Sequence, residues 1–329
     1  MSCGGPEDVA APETTLIKGS TMGTYYRVTV ADPIEDEESL RKGIEATLDR
    51  IDRLMSTYRE DSELSRLNRL EGGEWFTLSE EVGNVLDIAI DVHQLSGGAL
   101  DVTAGPLVNL WHFGPEPSDE DTVPTDVEIA QAKALVGLDQ IDILTEPLGI
   151  RKRSADVSID LSSIAKGYAV DCVSNFLKAE GYKNYLVDIG GELKGTGQKS
   201  ADKPWRVAVE APKIDRREIH RVVSLRGQAM ATSGDYRNYF EKDGVRYCHI
   251  IDPRTGRPVA HRLASVSIID PNCTRADAWA TALFVLGEKE GFDLATRQGL
   301  TALFIIKTED GFTERATPAF EKRLMQTPK

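Results

Sequence analysis

The chain has 329 residues, of which 40% are hydrophobic and 28% are charged, a composition typical of globular proteins. Its length is enough for one large domain or two smaller ones. The formal net charge of −14, without a long run of Lys or Arg, argues against nucleic acid and anionic membrane surfaces as main partners, and no apolar run reaches the length of a transmembrane helix.

The first residues form a polar segment that contains Cys3, one of four cysteines. A cysteine followed by a polar tether resembles the lipidated first residue of a mature bacterial lipoprotein, whose signal peptide would have been removed and Met1-Ser2 added. A chance cysteine in a disordered tail is the alternative. The other cysteines show no metal-binding spacing and are expected to pack as small apolar side chains. We expect a flexible tether over residues 1–17 and one folded domain over 18–329.

The first half of the chain is predicted to be mostly helical. Residues 24–30 are rich in β-branched and aromatic residues and predict a strand. Apolar residues three or four apart predict helices over about 40–55, 79–95 and 126–135, the second of them ended by a glycine pair. Residues 98–111 follow neither a helical nor an alternating pattern.

The second half is predicted to be richer in strands. Strand-like runs occur at 185–189, 205–211, 222–225, 229–232, 245–251, 263–269 and 301–307. Lys242-Asp243-Gly244 predicts a hairpin turn, and helices are predicted over 274–286 and from there to about 297. Most predicted helices lie in the first half of the chain and most predicted strands in the second half. This order favours an α+β fold over repeated βαβ units.

A polar segment between the two halves is the first candidate site. Ser162 or Ser163 is predicted as the N-cap of a helix, with Asp160 before it and Lys166 in the first turn. The free amides of a helix N-terminus favour anions, so this segment can hold a phosphorylated ligand. An ordinary capped helix with a surface lysine is the alternative.

Two further candidates lie near the end of the chain. Asp277 and Thr281 are four residues apart on a predicted helix, so their oxygen atoms share one face and can bind Mg²⁺. The alternative is an exposed Asp and a Thr that bonds back along its own helix. His249 ends a strand-like run, where it is either a structural histidine or a proton acceptor.

Nine motifs along the chain, taken together, resemble one family. They are residues 19–24 (GSTMGT), 55–58 (MSTY), 99–103 (ALDVT), 105–108 (GPLV), 160–168 (DLSSIAKGY), 188–192 (DIGGE), 232–236 (TSGDY), 249–256 (HIIDPRTG) and 276–281 (ADAWAT). In this order they resemble the ApbE family, the FAD:protein FMN transferases, over about residues 18–305.

The resemblance implies an α+β fold related to the tunnelling fold, with mixed or antiparallel sheets packed against helices. It also implies Mg²⁺ and transfer of the FMN part of FAD to a Thr or Ser hydroxyl through a phosphoester bond, with release of AMP. Typical acceptors are subunits of membrane redox pumps and flavin-bearing reductases outside the cytoplasm. Many members are lipoproteins, which favours lipidation of Cys3 and a periplasmic location at the inner membrane.

The resemblance also carries over to individual positions. His249 matches the position of the base that acts on the acceptor hydroxyl. The positions that match FAD contacts are Met22, Tyr58, Ala99, Leu100, Asp101, Asp160, Lys166 and Ile251. The positions that match metal contacts are Ser163, Asp277, Ala280 and Thr281. Ser163 is expected to act through its backbone carbonyl, and Ala280 stands where some relatives have Asp, so only its carbonyl can serve.

Two other activities are compatible with the same residues. In an Mg²⁺-dependent FAD pyrophosphatase, water replaces the acceptor hydroxyl and the products are free FMN and AMP. A non-catalytic lipoprotein that stores or delivers FAD is the alternative from another class. If the transferase assignment is right, replacing His249 by Ala abolishes transfer while FAD binding survives.

Overall fold

The computed structural model of the protein describes residues 14–115, 122–201, 203–210, 218–235 and 239–325. The helices are α1 (Glu37–Met55), α2 (Glu63–Asn68), α3 (Glu80–Ser96), α4 (Gly105–Leu110), α5 (Asp126–Lys133), α6 (Ala165–Ala179), α7 (Cys273–Arg297) and α8 (Pro318–Met325), with a short 3-10 helix at Leu138–Gln140. Within the described ranges, no helix combines the length and the apolar character that a membrane span requires.

The strands of the same ranges are short to medium in length. They are β1 (Thr15–Thr21), β2 (Thr24–Val30), β3 (Phe76–Thr77), β4 (Ile141–Thr145), β5 (Leu148–Lys152), β6 (Tyr185–Ile189), β7 (Glu192–Thr196), β8 (Gln198–Ser200), β9 (Lys203–Glu210), β10 (Ile219–Leu225), β11 (Gln228–Gly234), β12 (Tyr239–Lys242), β13 (Val245–Cys248), β14 (Ile251–Asp252), β15 (Arg257–Pro258), β16 (Leu263–Asp270), β17 (Thr301–Thr308) and β18 (Gly311–Ala316).

An antiparallel sheet with the order β1-β2-β6-β7-β11-β16-β17-β18 organises the described part of the chain. In β2, Tyr26, Val28 and Val30 alternate toward the core, as expected for a strand buried on one face. β16 is buried along its whole length and occupies an inner position in this sheet. The α+β class predicted from the sequence is confirmed.

The two faces of this sheet are covered differently. Helices α6 and α7 pack on one face and on each other, with α1 against α6 and α3 against α7. On the other face, Trp205, Val207 and Val209 of β9 pack with Leu193 and Met230 of the large sheet. The turn between β6 and β7 lies beside the beginning of α6, where Glu192 approaches Lys166, and β11 packs against α7.

Local signals predicted several elements correctly. The α1 helix begins after the N-cap Asp36, whose carboxylate accepts the Ser39 N–H. The α3 helix begins after Ser79 and ends at Gly97, which adopts the left-handed conformation with φ of 65°. In α7, the predicted division into two helices corresponds to a kink at Gly287, where φ is 77° and ψ is −173°.

The predicted start of α6 was wrong. The helix begins at Ala165 after Ile164, and no side chain caps it. The Asp160 carboxylate accepts the Ser162 N–H at 2.8 Å, and the Leu161 carbonyl accepts the N–H of Ala165. The polar residues therefore form an Asx-turn before the helix, a local conformation that competes with capping.

Two other boundaries differ from the sequence predictions. The hairpin turn is confirmed, with φ of 52° at Asp243 and 75° at Gly244, but β13 ends at Cys248 and leaves His249 in the connection to β14. The first strand already begins at Thr15, inside the segment predicted as a tether. Cys3 lies outside the described residues.

Candidate active site

A cavity of about 1250 Å³ brings together residues from separate parts of the chain. It is bounded by the β1–β2 turn, the end of α1, the loop after α3, the starts of α6 and β7, the segment around β14 and one face of α7. Twelve of the predicted site residues line it: Met22, Tyr58, Ala99, Leu100, Asp101, Asp160, Ser163, Lys166, His249, Ile251, Asp277 and Thr281.

Ala280 is the exception. Its side chain is fully buried and does not line the cavity. On the same helix, Asp277 and Thr281 are four residues apart and both reach the cavity, as their spacing predicts. The alanine side chain therefore offers no oxygen at this position, and a contribution from its backbone carbonyl stays a prediction.

Three charged side chains form a group in the cavity. Lys166 Nζ lies 3.4 Å from Glu192 Oε1 and 3.8 Å from Asp277 Oδ2. The two carboxylates are 4% and 2% exposed, whereas the lysine is 30% exposed and reaches the open cavity. The ammonium therefore bridges two buried acids and remains accessible to an anion.

The environment shifts the pKa of each group in this trio. Burial and the nearby charge of Asp277 together raise the pKa of Glu192 to about 8, against the opposing charge of Lys166. Burial also raises the pKa of Asp277, opposed by Lys166 and by the N–H of Gly167. For Lys166, burial lowers the pKa, but the charges of Asp277 and Glu192 outweigh it and hold the pKa above its usual range. Acidic side chains with strongly shifted pKa values in a cavity are typical of functional sites.

Glycines allow this close packing. Gly167 follows Lys166, and its N–H donates to Asp277 Oδ2 at 2.9 Å. A Cβ at Gly190 would lie 2.9 Å from Thr24 Cγ2 and 3.4 Å from Lys166 Cδ, and its φ of 62° also disfavours other residues. The turn between β6 and β7 therefore leaves room for the lysine side chain.

The predicted metal ligands are all oxygen atoms and lie close together. Thr281 Oγ1 is 3.4 Å from the Ser163 carbonyl and 3.3 Å from Ser233 Oγ, and Asp277 lies one helical turn before Thr281. One carboxylate, one hydroxyl and one carbonyl are hard ligands that suit Mg²⁺, which keeps several water ligands. The described residues contain no cluster of three or more His, Cys, Asp or Glu side chains that suits a metal ion. The chemistry of the donor set thus fits Mg²⁺ bound together with a ligand.

The loop after α3 is held by its own hydrogen bonds. Asp101 Oδ1 accepts the Thr103 N–H at 2.8 Å and the Thr103 hydroxyl at 2.5 Å. Its second oxygen lies 3.4 Å from His93 Nδ1. The same nitrogen is 2.8 Å from the Leu100 carbonyl oxygen. The Asp101 carboxylate therefore holds the backbone of this loop in place at the cavity wall.

Aromatic side chains form the surroundings of His249. Its ring lies edge-on to Phe113, with centroids 6.3 Å apart. Phe113 in turn contacts Phe240, and Phe240 and Trp111 both stack on Tyr247. His249 is half-buried and lines the cavity, so these rings restrict the positions that its imidazole can take.

Two other cavity residues differ in exposure. The Tyr58 side chain lies at the rim and is 70% exposed, which leaves its face available to a flat ring. Asp160 is half-buried, and burial raises the pKa of its carboxyl against the Ser162 hydrogen bond. The cavity therefore has an aromatic surface at its mouth and acids further along its wall.

Two site residues were missed by the sequence analysis. Glu192 is the last residue of the DIGGE motif, which contributed to the family resemblance without a role for its acid. His93 was given no role from the sequence, but its Nδ1 lies 3.4 Å from Asp101 Oδ2. Only the motif could have drawn attention to Glu192, and no local signal distinguishes His93.

Comparisons with known proteins identify one family. A sequence model described as the ApbE family matches residues 22–304. The FAD:protein FMN transferase of Vibrio cholerae serotype O1 is 45% identical over 311 residues, which cover 94% of this chain and 92% of that protein. The structure of the flavin transferase ApbE from Vibrio cholerae superposes with a TM-score of 0.87 at 42% identity, covering 94% of this chain and 99% of that chain. The apo form of the Pseudomonas stutzeri flavinyl transferase ApbE gives a TM-score of 0.87 at 39% identity, covering 98% and 100%.

Proposed function

The chain belongs to the ApbE family, and on that premise we propose that it catalyses the Mg²⁺-dependent transfer of FMN from FAD to a Thr or Ser hydroxyl of an acceptor protein, with release of AMP. The chain is an FAD:protein FMN transferase, as are its curated relatives. The observation that carries the proposal is the cavity that brings His249, Lys166 and the oxygen atoms of Asp277 and Thr281 together.

The cavity offers FAD contacts of several kinds. We assign the FAD contacts to Met22, Tyr58, Ala99, Leu100, Asp101, Asp160, Lys166 and Ile251. Tyr58 supplies an exposed aromatic face, and such faces stack on flat rings. Lys166 supplies a cation for the pyrophosphate.

Transfer of FMN forms one phosphorus–oxygen bond and breaks another. The acceptor hydroxyl oxygen forms a bond to the FMN phosphorus, the bond from that phosphorus to the bridging oxygen breaks, and AMP leaves with that oxygen. Lys166 stabilises the negative charge on the phosphates. Asp277, Thr281 and the Ser163 carbonyl would hold Mg²⁺, which would supply further charge neutralisation for the phosphates.

A hydroxyl group is a weak nucleophile until its proton is removed. His249 lines the cavity, and an imidazole accepts protons near neutral pH. We assign His249 as the base that takes the proton of the acceptor hydroxyl. A well-placed base contributes about 10²–10⁴-fold to the rate.

The proposed partners and location come from the family. The acceptors are proposed to be subunits of membrane redox pumps or flavin-bearing reductases outside the cytoplasm. Lipidation of Cys3 would hold the enzyme at the inner membrane beside them, on its periplasmic side. Mass spectrometry of the protein recovered from the membrane fraction of its native host tests the anchor.

One incubation distinguishes the proposed activity from its two alternatives. The chain is mixed with FAD, Mg²⁺ and a purified acceptor domain, and both the acceptor mass and the free nucleotides are measured. A gain of one FMN mass with release of AMP supports the transferase. Free FMN and AMP without a mass gain indicate a pyrophosphatase, and unchanged FAD indicates a binding protein; either result contradicts the proposal.

A further inference from the structure

Glu192 is a buried acid of the cavity to which the proposed chemistry gives no role. Its carboxylate is 4% exposed, and Oε1 lies 3.4 Å from Lys166 Nζ. The other oxygen, Oε2, is buried and accepts no hydrogen bond from the described residues. An unpaired buried oxygen costs free energy, and this acid lies at the cavity wall beside the lysine assigned to the FAD phosphates.

The backbone directs this side chain toward α6. Gly190 and Gly191, with φ of 62° and 108°, turn the chain between β6 and β7, and Glu192 then pairs with Ile189 at the end of the hairpin. Two residues further along β7, Lys194 points to the same face and pairs with Asp171 of α6 at 2.6 Å. Glu192 thus faces the helix that begins beside Lys166.

The position of the Lys166 ammonium depends on two acids. It lies 3.4 Å from Glu192 and 3.8 Å from Asp277. If Glu192 loses its charge, Asp277 is the remaining carboxylate within 4 Å of the ammonium among the described residues. Opposite charges in a poorly solvated site attract strongly, so the ammonium would move toward Asp277 and occupy the carboxylate assigned to Mg²⁺.

We propose that Glu192 is a positioning residue that holds the Lys166 ammonium at the cavity wall, so that Lys166 can reach the FAD phosphates while Asp277 stays available for Mg²⁺. The inference rests on the proposed function for the identity of both ligands. Glu192 acts through Lys166 and contacts neither reacting atom.

The direction in which neutralising Glu192 changes FAD binding distinguishes two accounts: positioning of Lys166, and an effect of the total charge of the site alone. FAD is an anion, so removal of a negative charge from its site should tighten binding if only the summed charge matters. If Glu192 positions Lys166, its neutralisation should instead weaken FAD binding, because the ammonium moves away from the phosphates. The two accounts predict opposite directions for the same substitution.

The test is a double-mutant cycle with Glu192→Gln and Lys166→Met. FAD affinity is measured at about pH 9, above the Glu192 pKa of about 8, so that the carboxylate is charged in the parent chain. EDTA is present, and quenching of flavin fluorescence is the readout. We expect Glu192→Gln to raise the Kd for FAD at least about fivefold in the parent chain, a coupling within the usual range for contacting residues. In the Lys166→Met background the same substitution should leave the Kd unchanged or lower it.

A second arm uses Mg²⁺ alone, titrated by calorimetry. We expect the change in the logarithm of the Mg²⁺ Kd in the double variant to differ from the sum of the changes in the two single variants. If the two charges acted on Mg²⁺ independently, the single changes would add. Glu192→Leu is measured beside Glu192→Gln. Leucine removes both the charge and the hydrogen-bond acceptor, whereas glutamine keeps an acceptor oxygen. The matched control is Lys194→Met, which breaks the neighbouring ion pair between β7 and α6 outside the cavity and should leave both affinities unchanged.

The results that would overturn the inference are specific. Tighter or unchanged FAD binding by Glu192→Gln in the parent chain contradicts positioning, as does an equal weakening in both backgrounds. If the parent transfers FMN normally and the cycle is additive, the inference fails while the proposed function stands. A parent chain that binds no FAD overturns both.

Discussion

The N–H of Gly167 donates a hydrogen bond to Asp277 Oδ2 at 2.9 Å, joining residues 110 positions apart. Gly167 lies in the first turn of α6 and Asp277 in α7, so this bond orients the carboxylate assigned to Mg²⁺ relative to Lys166. The partial positive charge of a helix N-terminus also favours a carboxylate at this place.

Replacing Gly167 by Ala should force the two helices apart. A Cβ there would lie 2.4 Å from the Cys273 carbonyl oxygen and 2.8 Å from Asp277 Cβ, and a backbone oxygen cannot move aside as a side chain can. We expect the free energy of unfolding to fall by about 1–3 kcal/mol, with weaker Mg²⁺ binding. Denaturant unfolding and calorimetry measure the two effects.

The control for that variant is Gly83→Ala on α3. Its Cβ would meet the tip of the Leu148 side chain, which can rotate away. We expect a small change in stability and unchanged Mg²⁺ binding. If Gly167→Ala behaves like this control, the close approach of α6 and α7 does not restrict the site.

Replacing His249 by Ala should abolish transfer and spare FAD binding. Loss of a general base lowers the rate by about 10²–10⁴-fold, while the predicted FAD contacts remain. The acceptor mass reports transfer, and flavin fluorescence reports the Kd for FAD. Retained flavinylation of the acceptor by this variant would defeat the assignment of His249.

Replacing Asp277 by Asn should weaken Mg²⁺ binding. The amide keeps the shape of the side chain but loses the charge that binds the cation. We expect half-maximal transfer to require at least about tenfold more Mg²⁺, the equivalent of about 1.4 kcal/mol. The readouts are a Mg²⁺ titration of the transfer rate and calorimetry without FAD. An unchanged Mg²⁺ requirement would remove Asp277 from the ligand set.

His261 should make the stability of the fold depend on pH. Its Nε2 lies 2.6 Å from the Phe284 carbonyl oxygen beside the α7 kink, and burial lowers its pKa against that hydrogen bond. The unfolded chain therefore takes up a proton near the ordinary histidine pKa of about 6.5, while the folded chain does so at lower pH. Stability should fall as pH decreases through this interval and be independent of His261 above it.

The measurement is denaturant unfolding at pH 5 and pH 7.5 for the parent chain and for His261→Gln. We expect the parent to lose more of its free energy of unfolding toward pH 5 than the variant does, since glutamine does not titrate. Parallel losses in the two chains would show that His261 takes up its proton equally in both states.

Elements with strong local signals were predicted well. The apolar stripe of α1 and the caps of α3 depend on residues within one or two turns of each other. The start of α6 was missed for a local reason as well, because Asp160 binds the Ser162 N–H and holds the serines outside the helix. Such competition between a turn and a cap is not visible in the residue types.

The sequence alone determined which chemical groups the site contains, because His249, Lys166 and Asp277 each stand in a recognisable motif. The tertiary structure decided how those groups act on one another. Glu192 approaches Lys166 because the β6–β7 turn and α6 meet at one end of the sheet. Gly167 approaches Asp277 because α6 and α7 pack on the same face. Charge interactions depend on distance and burial, and both are set by contacts between segments far apart in the chain.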